Sequence, residues 1–227
     1  VAPALRGARA ALDVGCSIGN MTERVAETLR RENPAAAASE TRVTGLEIIP
    51  EAAAEFRRRF EGRADMEVIE GDLFAPPPAL QERAPFDAVV CFNVLEHLEN
   101  DVEALRRMGD LLRPGGRIGL VVPGGGERLY GCLDALDRHY RRYTPARLAA
   151  RLEEAGFEIE SLRKVNFAGY FLWWFQGRVR RARRFDTRDV AAVDRLTPLF
   201  RALDRLLGPP LGQSLACVAR RKSGSAP

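Results

Sequence analysis

The run Ala11-Leu-Asp-Val-Gly-Cys-Ser-Ile-Gly-Asn20 constrains this chain more than any other stretch. An apolar strand ends in a turn carrying Gly15, Ser17 and Gly19, and a helix follows at once. Glycine enters left-handed backbone without steric cost, and a residue without Cβ lets a ligand lie against the main chain. The free N–H groups at the start of the following helix attract acidic and polar groups. Asn20 reads as the cap of that helix, with Glu23 three residues on. Such a connection belongs at the mouth of a parallel sheet, beyond the carboxyl ends of its strands. Taken alone, the motif fits a plain strand-turn-helix connection as well as a nucleotide-type site.

Beyond the turn the chain keeps the same alternation. Residues 42–47 and 66–72 read as a second and a third strand, each ending in an acid. Residues 86–93 read as a fourth, whose near-continuous apolar run suits burial on both faces. Helices are expected at 21–31, 51–60 and 101–112. The last opens on Asn100 with Glu103 three residues later, and stops at the breaker cluster Arg113-Pro-Gly-Gly116. Residues 116–122 form a fifth strand. A helix follows at 145–155, then an alternating sixth strand at 157–165, and 213–220 is the seventh. Alternating β and α units imply an α/β chain with an open, doubly wound, mostly parallel sheet and helices on both faces. The turn at 15–19, Glu47, Asp72 and Asn93 then share one sheet edge, and polar groups converging there make a site.

A nicotinamide site fails on spacing. Its fingerprint needs glycines at the first, third and sixth positions of the turn, where this chain has Gly15, Ser17 and Asn20. Its ribose acid belongs about 20 residues on, and Glu47 lies farther away, beyond the stretch 34–39.

The segments Leu12-Asp-Val-Gly-Cys-Ser-Ile-Gly19, Gly45-Leu-Glu47, Glu70-Gly-Asp72, Asn93-Val-Leu-Glu-His-Leu98 and Leu111-Leu-Arg-Pro-Gly-Gly116 carry a family resemblance. In this order they resemble the successive motifs of the Rossmann-like (class I) S-adenosylmethionine-dependent methyltransferases. The resemblance is close over residues 10–123 and continues weakly to about residue 165. It implies a seven-stranded sheet whose last strand runs antiparallel between the fifth and sixth. It implies S-adenosyl-L-methionine as cofactor, with S-adenosyl-L-homocysteine as product. It places Gly15, Cys16, Ser17 and Gly19 under the methionine part of the cofactor, with Asp13 supporting the turn or the amino group. Glu47, beside Ile48, would take both ribose hydroxyls; a carboxylate is acceptor-only at neutral pH, which suits two hydroxyl donors. Asp72, after Gly71, would meet the exocyclic amine of adenine while Leu73 covers the ring. Asn93 and Val94 would sit near the methyl group. Ser17 stands where the family usually has glycine. The family's usual upstream helix, which helps close the pocket, would lie ahead of Val1.

Methyl transfer from a sulfonium asks side chains mainly to align a nucleophile and exclude water. A general base helps when the nucleophile arrives protonated, as a hydroxyl does. The chain has two histidines. His97 follows Glu96 near the expected methyl position. That Glu-His pair is widespread in the resembling family, which favours a pocket-shaping role, with direct catalysis as the alternative. His139 lies in Asp137-Arg-His-Tyr-Arg-Arg-Tyr143, ahead of a helix opening at Thr144-Pro145. A loop there would hang over the same edge. His139 is the candidate base, and Tyr140, Arg142 and Tyr143 are candidate contacts to an anionic or phenolic substrate. The alternative is a surface loop with a helix cap. Two histidines at non-ligand spacing argue against a metal site.

A chain of 227 residues suffices for a single domain with a sizeable core. Residues 1–123 are expected as its cofactor-binding half and 124–227 as its substrate-side half. The net charge of +4 and the lack of a recognition module argue against nucleic acid. Lys164 and Lys222 are the only lysines among many arginines; with the alanine runs, this points to GC-rich coding and a bacterial source. Cys16, Cys91, Cys132 and Cys217 are scattered without a Cys-x-x-Cys pair. They read as small buried hydrophobes in a reducing compartment. No apolar run spans a bilayer and no stretch reads as a signal segment, so a cytoplasmic location is expected.

Substrate choice is expected in a helical insertion at 166–212. Phe167, Tyr170, Phe171, Trp173, Trp174 and Phe175 crowd its start, and Arg178-Val-Arg-Arg-Ala-Arg-Arg184 comes next. Trp173 and Trp174 are candidate substrate contacts. Three readings stand. The aromatics pack on the core while the arginines are solvated, or they form a lid over a ring or lipid-like acceptor. In the third, residues 167–184 lie on an anionic membrane surface at the inner face, which fits a prenylated quinone or lipid-linked sugar. The phrase His139-Tyr-Arg-Arg-Tyr-Thr144 ahead of the tryptophans also resembles bacterial methyltransferases of glycan or secondary-metabolite assembly. A further amphipathic helix is expected at 194–207, offering a homodimer face. The leading expectation is methylation of a small-molecule acceptor, oxygen ahead of nitrogen or carbon. A non-catalytic, cofactor-binding partner subunit is the alternative from another class.

Overall fold

The computed structural model describes residues 1–33, 40–175 and 210–222. Its strands are β1 (Ala10–Val14), β2 (Arg42–Glu47), β3 (Met66–Glu70), β4 (Phe86–Phe92), β5 (Leu112–Pro123), β6 (Phe157–Val165) and β7 (Ser214–Arg221). They form one sheet in the order β3-β2-β1-β4-β5-β7-β6. Strands β1 to β5 pair in parallel, and β7 runs antiparallel to both β5 and β6. This is the doubly wound sheet expected from the β–α alternation, with the inserted, reversed last strand that the family resemblance implies.

The helices are α1 (Asn20–Glu32), α2 (Pro50–Arg59), α3 (Pro78–Arg83), α4 (Asp101–Asp110), α5 (Cys132–Leu136), α6 (Pro145–Glu154) and α7 (Phe167–Trp174). Two cores lie on opposite sheet faces, and strand alternation sorts residues between them. Leu12, Val14, Val89 and Cys91 pack with Leu105 and Met108 of α4 and Leu148 and Leu152 of α6. Ala11, Ala88 and Val90 pack with Val25, Ala26 and Leu29 of α1 and with Phe56 of α2. Each fully buried Leu, Val or Phe contributes roughly 1.5–3 kcal/mol of transfer free energy, so covering both faces holds the central strands rigid beneath the edge that carries the site.

Local signals hold where their partners are close in sequence. The Asn100 side chain caps α4 by accepting from Glu103 N at 3.0 Å, and Thr144 caps α6 by accepting from Arg147 N at 3.1 Å. Other details differ from expectation. Gly19, in left-handed backbone, caps α1, while Asn20 is its first residue and accepts from Arg59. A Cβ at Gly19 would strike the rings of Phe56 and Phe60, so glycine fits there on both counts. The 113–116 cluster does not precede β5 but lies inside it, at an irregularity in its pairing with β4. Short α3 and α5 carry no clear periodicity in the sequence. Cys16, Cys91 and Cys217 are buried, but Cys132 is exposed and so is not a core residue. The basic run at 178–184 and the helix expected at 194–207 lie outside the described residues.

Candidate active site

The turn after β1 is tied to the end of β2. Gly15 N and Cys16 N both donate to Leu46 O, at 2.8 and 3.2 Å. Ser17 N donates to Glu47 Oε2 at 2.7 Å, and Ile49 N donates to Glu47 Oε1 at 2.9 Å. One carboxylate thus anchors the turn and the segment after β2. Gly15, Ser17 and Gly19 all have positive φ. Left-handed backbone costs a non-glycine residue roughly 1–2 kcal/mol, and the charge-assisted bond to Glu47 holds Ser17 there. A Cβ at Gly15 would collide with Val94, which fixes how closely the turn approaches the end of β4.

Beneath the turn Asp13 is buried. Its Oδ2 accepts from Thr22 Oγ1 at 2.7 Å, while Oδ1 has no partner. Burial pushes its carboxyl up to about 7; the Thr22 hydrogen bond opposes this and the charge of Glu47 adds to it. After β3, Gly71 N donates to Glu47 O, and Asp72 Oδ1 accepts from Phe74 N at 2.9 Å. Leu73 is buried, whereas Ile48 is 62% exposed. Asp13, Gly15, Cys16, Ser17, Gly19, Glu47, Ile48, Gly71, Asp72, Leu73, Asn93 and Val94 all belong to the carboxyl ends of β1 to β4 or the turns beyond them.

Farther along the same edge lies a cavity of about 510 Å³. Asn93, Glu96, His97, His139, Arg142 and Trp173 line it. Asn93 holds left-handed backbone at φ 53°. The rings of His97 and His139 meet edge to face with centroids 4.6 Å apart. His97 is pushed below the ordinary histidine value, by desolvation first and by neighbouring His139 second. Glu96 is 1% exposed, and neither carboxylate oxygen has a hydrogen-bond partner. Burial raises its carboxyl to about 7, against the pull of His139 and Arg142. Among the described residues, Glu96, His97 and His139 bring one donor atom each within 4.8 Å of one another, close enough to hold a metal ion. The fold therefore gives the two histidines a proximity that their separation in sequence hides.

Behind His139 stands Asp134, fully buried on α5. Its Oδ1 lies 3.0 Å from His139 Nδ1 and accepts from Arg142 Nη1 at 2.8 Å. Its Oδ2 accepts from Gly131 N at 2.9 Å and from Trp173 Nε1 at 3.2 Å. Burial alone would raise this carboxyl, but the His139 hydrogen bond and the Arg142 charge outweigh it and hold it below the usual carboxylate range. The Arg142 guanidinium also donates to Gly124 O and Gln213 O, at 2.7 and 2.8 Å, and stacks on Trp173 at 5.0 Å.

Three of the expected substrate contacts lie off this cavity. Tyr143 is a core residue at 0% exposure; its hydroxyl donates to Asp101 Oδ2 at 3.0 Å, away from the cavity. Tyr140 is exposed and stacks with Arg141 instead of lining the cavity. Trp174 is also exposed, and only its neighbour Trp173 reaches the wall. Arg142 does line the cavity, and its hydrogen bonds go to Asp134 and two main-chain carbonyls. Glu96 enters the sequence patterns only as the neighbour of His97 in the Glu-His pair. Asp134 escapes them, with no signal short of recognising α5.

A family model described as a methyltransferase domain matches residues 12–118. The ubiquinone biosynthesis O-methyltransferase of Xanthomonas axonopodis pv. citri (strain 306) is 28% identical over 168 residues, covering 69% of this chain and 65% of that protein. The chain thus spans slightly less than two thirds of that relative's length. A putative sarcosine dimethylglycine methyltransferase from Galdieria sulphuraria superposes with a TM-score of 0.62 at 13% identity, over 98% of this chain and 82% of that one. The magnesium protoporphyrin IX methyltransferase of Synechocystis PCC 6803, solved with bound SAH, gives 0.55 at 15% identity, over 93% and 74%. The structural likenesses establish a shared fold.

Proposed function

We propose that this chain is a class I S-adenosylmethionine-dependent methyltransferase and that it methylates a hydroxyl of a small-molecule acceptor held beside His97 and His139. The observation that carries the reading is the histidine pair on the wall of a cavity that shares Asn93 with the glycine-turn edge.

The residues of that edge suit S-adenosylmethionine. Asp13 keeps a buried oxygen without a partner, and Ile48 leaves a large apolar side chain in water; a polar, adenosyl-bearing ligand answers both. Glu47 would receive the ribose hydroxyls on the lone pairs that Ser17 N and Ile49 N leave free. Asp72 and Leu73 would hold the adenine, and the backbone of Gly15 to Gly19 would hold the amino-acid end. When bound, the cofactor would supply an electrophilic methyl group on a sulfonium sulfur that takes back the electron pair of the broken carbon–sulfur bond.

The chain's own work lies on the acceptor side. Asn93 and Trp173 bound the space in which the hydroxyl must line up, and alignment with exclusion of water carries most of the rate enhancement in such a displacement. His139 takes the hydroxyl proton as general base. His97, held toward its neutral form, shapes the wall without adding a positive charge next to the methyl donor.

A membrane-borne acceptor, a prenylated quinol or a lipid-linked sugar, is the second reading. It is favoured by Phe171, Trp174 and Phe175, which stand exposed on and just after α7. Among the described residues no helix is long and apolar enough to cross a membrane, so contact would be interfacial. The test is turnover of labelled S-adenosylmethionine against phenolic, sugar and quinol acceptors, with and without liposomes, with products identified by mass spectrometry. An O-methylated product supports the reading. Transfer to nitrogen or carbon alone contradicts the hydroxyl assignment, and cofactor binding without transfer to any acceptor supports a non-catalytic binder. Stimulation by liposomes that disappears in Trp174→Ala selects the membrane version.

A further inference from the structure

Asp134 lies five residues before His139 and has no route to solvent. Three donors bond it, Arg142 Nη1, Gly131 N and Trp173 Nε1, and His139 Nδ1 lies 3.0 Å from its Oδ1. An ionised carboxylate is acceptor-only, and the Arg142 guanidinium, 2.8 Å from its Oδ1 in a fully buried pair, keeps this one ionised. The nitrogen of His139 that faces it must therefore carry a proton. We propose that Asp134 is a positioning residue of the methyl transfer: it fixes His139 as the Nδ1–H tautomer and leaves Nε2 as the basic nitrogen of a ring that lines the acceptor cavity. This rests on the reading that a hydroxyl is methylated beside His139.

The ring is held from its main chain as well. Tyr130 donates its hydroxyl to His139 O at 2.8 Å, and His139 N donates to Asp134 O at 2.9 Å. Arg142 cannot swing away from the carboxylate, because Gly124 O and Gln213 O hold its other nitrogens. As the new carbon–oxygen bond forms, the hydroxyl proton passes to Nε2 and the Nδ1 proton stays on the Asp134 hydrogen bond. The carboxylate then balances the imidazolium, which releases its proton to solvent after the product leaves. This is the division of labour between an oriented imidazole and its carboxylate in nucleophile-activating sites. Trp173 Nε1 ties the α7 wall of the cavity to the same carboxylate, so the base and the wall share one anchor.

A plain structural ion pair between Asp134 and Arg142 would also staple this loop, but it places no demand on the histidine tautomer. The deciding experiment is ¹⁵N NMR of the full chain with labelled histidine, at neutral pH, without cofactor or acceptor. Two ring systems contribute, and His97→Gln assigns them. The wild type should show His139 as Nδ1–H. In Asp134→Asn the ring should pass to Nε2–H, and kcat should fall about 10²–10⁴-fold, as for other wrongly oriented histidine bases, while acceptor KM changes little. The wild-type spectrum does not depend on the variant folding. Methyl transfer by a wild type whose His139 is Nε2–H would overturn the positioning role and leave the methylation reading intact. A variant that switches tautomer without losing kcat overturns it too. So does a shift of the His139 ring signals on adding Mg²⁺ or Zn²⁺, because the imidazole would then be a ligand.

Discussion

At the turn after β1, the recognition groups come from short local stretches at successive strand ends. Gly15, Ser17 and Gly19 act through main chain, and Glu47 stabilises them from the end of the adjacent strand. At the histidine wall, the groups come from segments far apart in sequence: Asn93 to His97 after β4, Asp134 to Arg142 around α5, Trp173 on α7 and Gln213 before β7. On the proposed reading, the first region binds largely by backbone shape, with Glu47 and Asp72 as its main side chains. The second would work through side-chain charge and depend on burial to orient each group. If this division is right, damage to one region should leave the function of the other standing.

The largest expected effect is on the histidine side. His139→Ala should lower turnover about 10²–10⁴-fold, the usual span for a general base, with the dissociation constant of S-adenosylmethionine nearly unchanged in calorimetry. An equal loss of cofactor affinity would show that the two regions are one unit.

Glu96 sharpens the contrast through pH. Its carboxyl is raised from 4.5 to about 7 in the folded chain. A raised carboxyl contributes stability that is fully present below the unfolded pKa and is lost as pH rises through the folded one. Wild type should therefore lose stability relative to Glu96→Gln between pH 4.5 and 7, by on the order of 3 kcal/mol. Urea unfolding across that window measures it. A pH-independent difference would mean that Glu96 is ionised in the folded chain.

A smaller effect is expected on the turn side. Glu47→Ala should weaken cofactor binding by roughly 1–3 kcal/mol, the worth of charge-assisted hydrogen bonds, and leave acceptor KM in place. Part of that loss comes from the turn itself, since Ser17 N loses its partner. The smallest expected effect separates structure from site. Tyr143→Phe should cost about 0.5–1.5 kcal/mol of stability, the value of one buried hydrogen bond, with kcat and KM unchanged. A rise in acceptor KM would return Tyr143 to the substrate contacts.

The same contrast explains what could be read from sequence. Asn100 with Glu103, and Thr144 with Pro145, signal helix starts because each cap and its partner lie within one turn. Glu47 and Asp72 are legible because an acid at a strand end has one edge to occupy. Tyr143 is misleading for a physical reason. Arg141 and Tyr143 both reach Asp101, while Arg142 between them turns to Asp134. Neighbours in sequence thus serve opposite sides, and adjacency to His139 says nothing about facing the cavity. The meeting of His97 with His139 depends on where the loop after β5 folds back. The role of Asp134 depends on Trp173, Arg142 and Gln213 arriving from separate segments. No local pattern encodes such a junction.

The most direct test of the central claim is calorimetric titration of the chain with S-adenosylmethionine and S-adenosylhomocysteine, with reduced NAD as control. Binding of both sulfur ligands, weakened in Glu47→Ala and retained in His139→Ala, is the expected result. Binding of reduced NAD in their place, or sulfur-ligand binding indifferent to Glu47, would contradict it.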